Sequence, residues 1–304
     1  MHPAIFSQFS GEPEKDFVWF GTWIVRKEHI NPKGVWGRLR HVPGLRKRMV
    51  VALWNSAQFY PSTHYSLPIG YDALQISEDG NRARGFVVDA RKTIKTVFRN
   101  SRYGQNTERE LHVRTNILPE SGLKVPRIYE HHASDDYIQF QEEFIPGRIF
   151  SHWRDSKYFI GQVSEPLLAV AERQGVEYKP LCDILDANLR DVILQSGSAD
   201  PVVLKGRALL EKNPVVTACF SHGDLVSSNM IVSDDKVYLV DWERSALRYA
   251  GYDQGRLALK HPWNLDYLQA AKDVFDRHQH GRFTMEQAGD IRLAVAAARR
   301  DAKA

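Results

Sequence analysis

Ser221-His222-Gly223-Asp224-Leu225-Val226-Ser227-Ser228-Asn229, followed by an apolar stretch and then Val240-Asp241-Trp242-Glu243, decides how this 304-residue chain is read. An Asp five residues before an Asn can place both side chains on one tight loop, facing the same side. The second Asp, twelve residues after that Asn, ends the return strand of a short hairpin and can meet Asn229 across it. One carboxylate, Asp224, is then free to orient an acceptor hydroxyl. Another carboxylate and an amide oxygen, Asp241 and Asn229, suit a hard, oxygen-seeking cation. Phosphoryl transfer calls for such a set, because it is catalysed by positioning and by neutralising phosphate charge rather than by covalent chemistry. His-Gly-Asp alone is usually a turn; the Asn, the strand and Asp-Trp-Glu supply the context.

Upstream of the loop the pattern changes twice. Tyr71–Ser77 (YDALQIS), the RGFVVDA run and KTIKTVFRN read as strands, with Asp, Gly and Asn in the connection, as antiparallel pairing requires. TERELHVRTNILPES has helical spacing, with Leu111, Thr115 and Leu118 on one face and acids near its start. VPRIYEHH and DYIQFQEEFIPG follow as strands, the second stopped by Pro146-Gly147. From about Phe150 to Leu210 the pattern is mainly helical, then come two short apolar strands around a Ser-Asp-Asp turn, and a helical tail from Leu257. These elements predict an α+β, bilobal chain. Residues 71–147 form a small antiparallel-sheet lobe with one helix, residues 148–304 a larger helical lobe carrying the loop and hairpin, and 1–70 an added extension. The site is expected between the lobes.

His-Gly-Asp-x4-Asn with Val-Asp-Trp-Glu resembles the signature of the aminoglycoside phosphotransferase/choline kinase-like family, which has a protein kinase-like fold. The resemblance runs from about Tyr71 onward. It implies that Asp224 is the catalytic base and that Asn229 and Asp241 hold Mg²⁺, with His222 packing the loop and Tyr252-Asp253 bracing it. By the same resemblance EDGNRARG stands where a phosphate-covering loop belongs. Glu110 stands where a helix glutamate pairs with a strand cation. Lys95 and Arg99, four apart on one strand, are both candidates for that cation; Lys95 is favoured as a compact point charge suited to phosphate. Glu143-Phe144-Ile145 resembles the hinge whose backbone would hold the base of ATP (or GTP). The implied activity is transfer of the γ-phosphoryl to a hydroxyl of a small molecule: a sugar, an amino-alcohol, an antibiotic or a lipid-linked glycan. The reading from another class is a non-catalytic, nucleotide-binding pseudokinase that binds a partner protein.

Composition narrows the rest. With 43% hydrophobic and 26% charged residues the chain is an ordinary globular protein. No apolar run approaches the roughly 18 residues of a membrane span, and the first residues lack a signal peptide's basic and apolar regions. Two cysteines, Cys182 and Cys219, outside any CxxC or Cys/His cluster, speak against zinc and disulfides and for a cytoplasmic location. The net charge of +4 hides an uneven spread, since His29–Tyr71 has no acid but carries Lys33, Arg38, Arg40, Arg46, Lys47 and Arg48. Within it LRKRMVVALWNSAQF has helical spacing. This segment reads either as the solvated face of an added subdomain or as a contact for an acidic membrane surface. Nucleic acid is not expected, because no binding module accompanies the charge.

Overall fold

Tyr137–Glu143 shows how the first half of the chain is built: Ile138, Phe140 and Glu142 are buried and the residues between them half-buried, the period-two pattern of a pleated strand. The computed structural model describes residues 17–20, 23–26, 73–77, 81–87, 89–278 and 283–301. The basic segment 29–71, with its expected helix, and residues 78–80 of the expected phosphate-covering loop lie outside the described residues.

In chain order the first elements are β1 (Phe17–Phe20), β2 (Trp23–Arg26), β3 (Ala73–Ile76), β4 (Arg82–Val87), β5 (Lys92–Phe98) and helix α1 (Gly104–His112). Strands β6 (Ile128–Ala133), β7 (Tyr137–Glu143) and β8 (Arg148–Ile149) follow. Next come α2 (Glu165–Gln174), β9 (Glu177–Pro180), α3 (Leu181–Ile184), α4 (Ala187–Gln195), α5 (Pro201–Lys212) and β10 (Val215–Ser221). The chain then forms β11 (Met230–Ser233), β12 (Lys236–Leu239) and β13 (Ala246–Tyr249), and ends in α6 (Tyr252–Lys260), α7 (Leu265–Arg277) and α8 (Met285–Asp301).

These elements fall into two compact units, the first within 1–115, 124–150 and 230–243, the second within 116–123, 151–229 and 244–304. The first unit holds a seven-stranded sheet in the order β1-β2-β3-β4-β5-β7-β6, each neighbouring pair antiparallel. A second small sheet, β12-β11-β8, belongs to the same unit. The hairpin β11–β12 turns through Asp234 and Asp235, both at positive φ, as tight two-residue hairpin turns require. The second unit is mainly helical around the sheet β13-β10-β9. Its core gathers Leu181, Ile193, Leu210, Val216, Tyr249 and Phe275. The α+β class read from the sequence is the class observed. Among the described residues no helix is long and apolar enough to cross a membrane.

Three details differ from the sequence reading. Strands β1 and β2 were not assigned, yet β2 pairs with β3 and extends the main sheet. Arg82, which precedes the RGFVVDA run, already lies in β4. Helix α1 starts at Gly104 and continues into a π-helical turn, Val113–Ile117. On it Thr115 is exposed, its hydroxyl donating back to the Leu111 carbonyl at 2.8 Å, while Glu110 and Arg114 are buried.

Helices α5 and α8 approach closely at Gly206, where a Cβ would stand 2.4 Å from the Ala294 Cβ. Gly206→Val is therefore expected to destabilise the protein by about 1–3 kcal/mol through overpacking. The check is a lower urea midpoint with an unchanged m-value; an unchanged midpoint would contradict this packing.

Candidate active site

Lys95 has no exposure to solvent. It lies on the buried face of β5, opposite Arg84 of β4, and cross-strand partners share a face. Its Nζ donates to Glu110 of α1 at 2.6 Å and to Glu243, and lies 5.6 Å from the Phe140 ring centroid. Burial opposes the charge on Lys95, but Glu110 and Glu243 outweigh it and raise its pKa. Burial alone would raise the Glu110 carboxyl, yet Lys95 and Arg114 override it and hold it at about 2. Arg114 donates to Glu110 at 3.2 Å and also pairs with Glu142. Glu243 is shared further with Arg82, whose guanidinium reaches both its oxygens at 3.0 and 3.3 Å. The result is one buried network of alternating charges across β4, β5, α1, β7 and the segment after β12.

Asp241 sits just beyond β12 at φ +67°, a left-handed conformation uncommon for a residue other than Gly. The next residue, Trp242, is fully buried and donates through Nε1 to the Leu239 carbonyl at 3.3 Å, which holds the turn. Burial, then the neighbouring Glu243, push the Asp241 carboxyl above its ordinary value. The side chain makes no salt bridge with any described residue, and carboxylate oxygens of Glu110, Asp241 and Glu243 lie within 4.8 Å of one another. A carboxylate raised by burial and by a neighbouring acid suits a divalent cation, whose charge reverses both effects. The carboxylate oxygens of Asp241 are hard donors of the kind such a cation takes.

In the second unit the loop after β10 is pinned from behind. Asp253, buried on α6, accepts from the backbone N–H of His222 at 2.7 Å and of Gly223 at 3.1 Å. Burial raises its carboxyl against the opposing pull of His222. Gly223 has φ +81°, and a Cβ there would stand 2.0 Å from the Arg244 carbonyl oxygen, so only Gly fits. From the other side Asn229 donates through Nδ2 to the Asp224 backbone carbonyl at 2.9 Å. Asp224 itself is half-buried and accepts from Arg256 of α6 at 2.6 Å.

The structure thus brings Lys95 together with Glu110, and Asp224 together with Asn229, each pair within one unit. Arg99 stands apart: it lies beyond the end of β5, is exposed, and pairs with Glu108 at 2.9 Å. At the hinge-like segment the amides of Glu143 and Phe144 already donate to the carbonyls of Arg127 and Arg91, both at 2.8 Å. The Ile145 amide donates to no backbone carbonyl among the described residues. Sequence reading gives Arg114 and Arg256 no role and Arg82 and Arg84 only a place in the EDGNRARG loop; Glu243 reads equally as a metal or substrate contact and as a solvated charge. Arg82 and Arg84, two apart before Gly85, carried the one usable signal, since that spacing sends both to one strand face.

The sequence matches the family model described as the phosphotransferase enzyme family, APH, over residues 73–288. No curated protein matches it. Similar solved structures include choline kinase LicA from Streptococcus pneumoniae, at 13% identity and TM-score 0.49, covering 83% of this chain and 88% of that one. An aminoglycoside-3'-phosphotransferase of type VIII has 19% identity and TM-score 0.48, covering 72% of this chain and 90% of that one.

Because the folded-state Glu110 carboxyl is depressed from 4.5 to about 2, its contribution to stability is complete above pH 4.5 and is lost as pH falls toward 2. Glu110→Gln is expected to lower the melting temperature at neutral pH and to flatten the acid-side decline in that window. Melting curves between pH 2 and 7 check this; parallel declines in wild type and variant would contradict it.

Proposed function

The chain belongs to the phosphotransferase enzyme family, and from that premise we propose that it transfers the γ-phosphoryl group of ATP (or GTP) to a hydroxyl of a small molecule. The observation that carries the reading is the catalytic loop, in which Asp253 and Asn229 fix the backbone on both sides of Asp224 while its carboxylate stays half-exposed. General base catalysis asks first that the base be held within reach of the acceptor proton, and a fixed, partly exposed carboxylate supports that role for Asp224.

In the proposed reaction Asp224 orients the acceptor hydroxyl and takes its proton as the oxygen attacks the γ-phosphorus. A new P–O bond to the acceptor forms, the bond to the β-phosphate oxygen breaks, and the nucleoside diphosphate leaves with its electron pair. Lys95, held by Glu110, binds phosphate oxygens as a point charge. Ile145 and the neighbouring carbonyls meet the base. Asp241 and Asn229 would hold Mg²⁺, which supplies charge neutralisation at the phosphates. Arg256, bonded to Asp224, puts a guanidinium beside the acceptor's position. That favours a neutral or anionic acceptor, such as a sugar or a phosphate-bearing glycan, over a polycationic one.

Asp224→Ala is expected to lower Mg²⁺-dependent turnover by about 10²–10⁴-fold with nucleotide affinity close to wild type, and Asp241→Ala to abolish Mg²⁺-dependent nucleotide binding. Equal losses of nucleotide affinity in the two variants would contradict the division of roles. Wild-type nucleotide binding with no phosphoryl transfer to any of a panel of sugars, amino-alcohols and glycans, and no hydrolysis, would favour the non-catalytic reading. Lys95→Ala is expected to cost far more activity than Arg99→Ala, and Lys95→Ala with Glu110→Ala less than the sum of the two. The opposite ranking would move the phosphate-binding role to Arg99.

A further inference from the structure

The Lys95 ammonium is already enclosed. Of its three N–H groups one goes to Glu110 and one to Glu243, and Nζ lies 5.6 Å from the Phe140 ring centroid. With the side chain at 0% exposure, an incoming phosphate oxygen reaches Nζ only after one of these partners leaves. The two carboxylates are not equally placed to do so. Glu110 is fastened from behind by Arg114, itself buried and paired with Glu142. Glu243 is fastened by Arg82, whose side chain is 33% exposed and lies over the Tyr103 ring at 4.6 Å. Glu243 therefore lies on the open side of the network and bridges two cations, Lys95 and Arg82, through a single carboxylate.

We propose that Glu243 is an internal competitor of the nucleotide, its carboxylate standing where a phosphate of the nucleotide binds, on Lys95 and Arg82. This rests on the proposed reading of Lys95 as the phosphate-binding lysine. The chemistry matches on both sides. A carboxylate and a phosphate are both oxyanions that accept from an ammonium and from a guanidinium fork. Exchange of one for the other keeps both cations neutralised throughout, which avoids leaving the buried Lys95 charge without a partner at any stage. Arg82 has a second consequence. It becomes a phosphate ligand that the sequence signature does not contain, placed two residues before Arg84 on the same face of β4. The competitor sets nucleotide affinity through the fraction of molecules in which Glu243 has withdrawn, because apparent affinity falls in proportion to that fraction.

The test is calorimetric titration of the full chain, wild type, Glu243→Gln and Glu243→Ala, with ATP, with Mg²⁺ and ATP together, and with adenosine. If the withdrawn state is about a tenth of the wild-type population, both variants bind ATP about tenfold more tightly. Adenosine, which carries no phosphate, binds all three proteins alike, and that equality also shows the variants to be folded. ATP affinity that is unchanged or weaker in both variants, with adenosine affinity retained, overturns the competitor while leaving the nucleotide-binding reading intact. Absence of ATP binding in all three proteins overturns both.

Discussion

A lysine ammonium without water around it has to be met by carboxylates, and much of the first unit is arranged to meet that need at Lys95. Burying an ion costs several kcal/mol even after relaxation, and removing one partner of a buried pair costs about 3–5 kcal/mol. Lys95 of β5 is therefore tied to α1 through Glu110 and to the segment after β12 through Glu243. Arg114 carries the chain of charges on to Glu142 of β7. Four segments, β5, α1, β7 and the one after β12, are linked to one another by these charges. The small apolar cluster of Leu111, Ile138 and Phe140 lies beside this network, and Phe140 also offers Lys95 its ring.

The second unit solves a different problem, which is to hold a short loop in a conformation the chain would not choose alone. Gly223 makes the turn by its positive φ, and Asp253 collects two loop amides that would otherwise be buried without partners. An unsatisfied buried amide costs about 1–3 kcal/mol, so one buried carboxylate stabilises the loop at two points. In the proposed reaction this division gives the first unit the nucleotide's phosphates and the metal-binding carboxylate, and the second the acceptor hydroxyl and its base.

What could be read from the sequence follows from where the information sits. The spacing of Asp224, Asn229 and Asp241 is local, and so are the alternation in β7 and the Ser233-Asp234-Asp235 turn; all were legible. The choice between Lys95 and Arg99 was not settled by strand periodicity, because both project the same way on an ideal strand. What separates their positions is that β5 ends at Phe98, which keeps Lys95 in the strand and leaves Arg99 beyond it. Helix α1 was misphased because its buried stripe contains Glu110 and Arg114, which an apolar periodicity discards. They are buried only because they pair with each other and with Lys95 and Glu142. The β1 and β2 strands, FVWF and WIVR, lack the polar alternation that marks a half-buried strand, although their aromatic and β-branched residues favour sheet. Glu243 shows the limit most clearly. Its partners are 148 and 161 residues away, and no local pattern announces a contact at that distance.

In the proposed reaction the charged network at Lys95 binds nucleotide phosphate. The most direct measurement is a crystal structure of the full chain with Mg²⁺ and a non-hydrolysable ATP analogue. The expected result places a phosphate oxygen within hydrogen-bond distance of Lys95 Nζ, with Glu110 still bonded to Lys95 and Mg²⁺ on Asp241 and Asn229. A nucleotide bound with its phosphates away from Lys95, with the ammonium still enclosed by both carboxylates, would contradict the account.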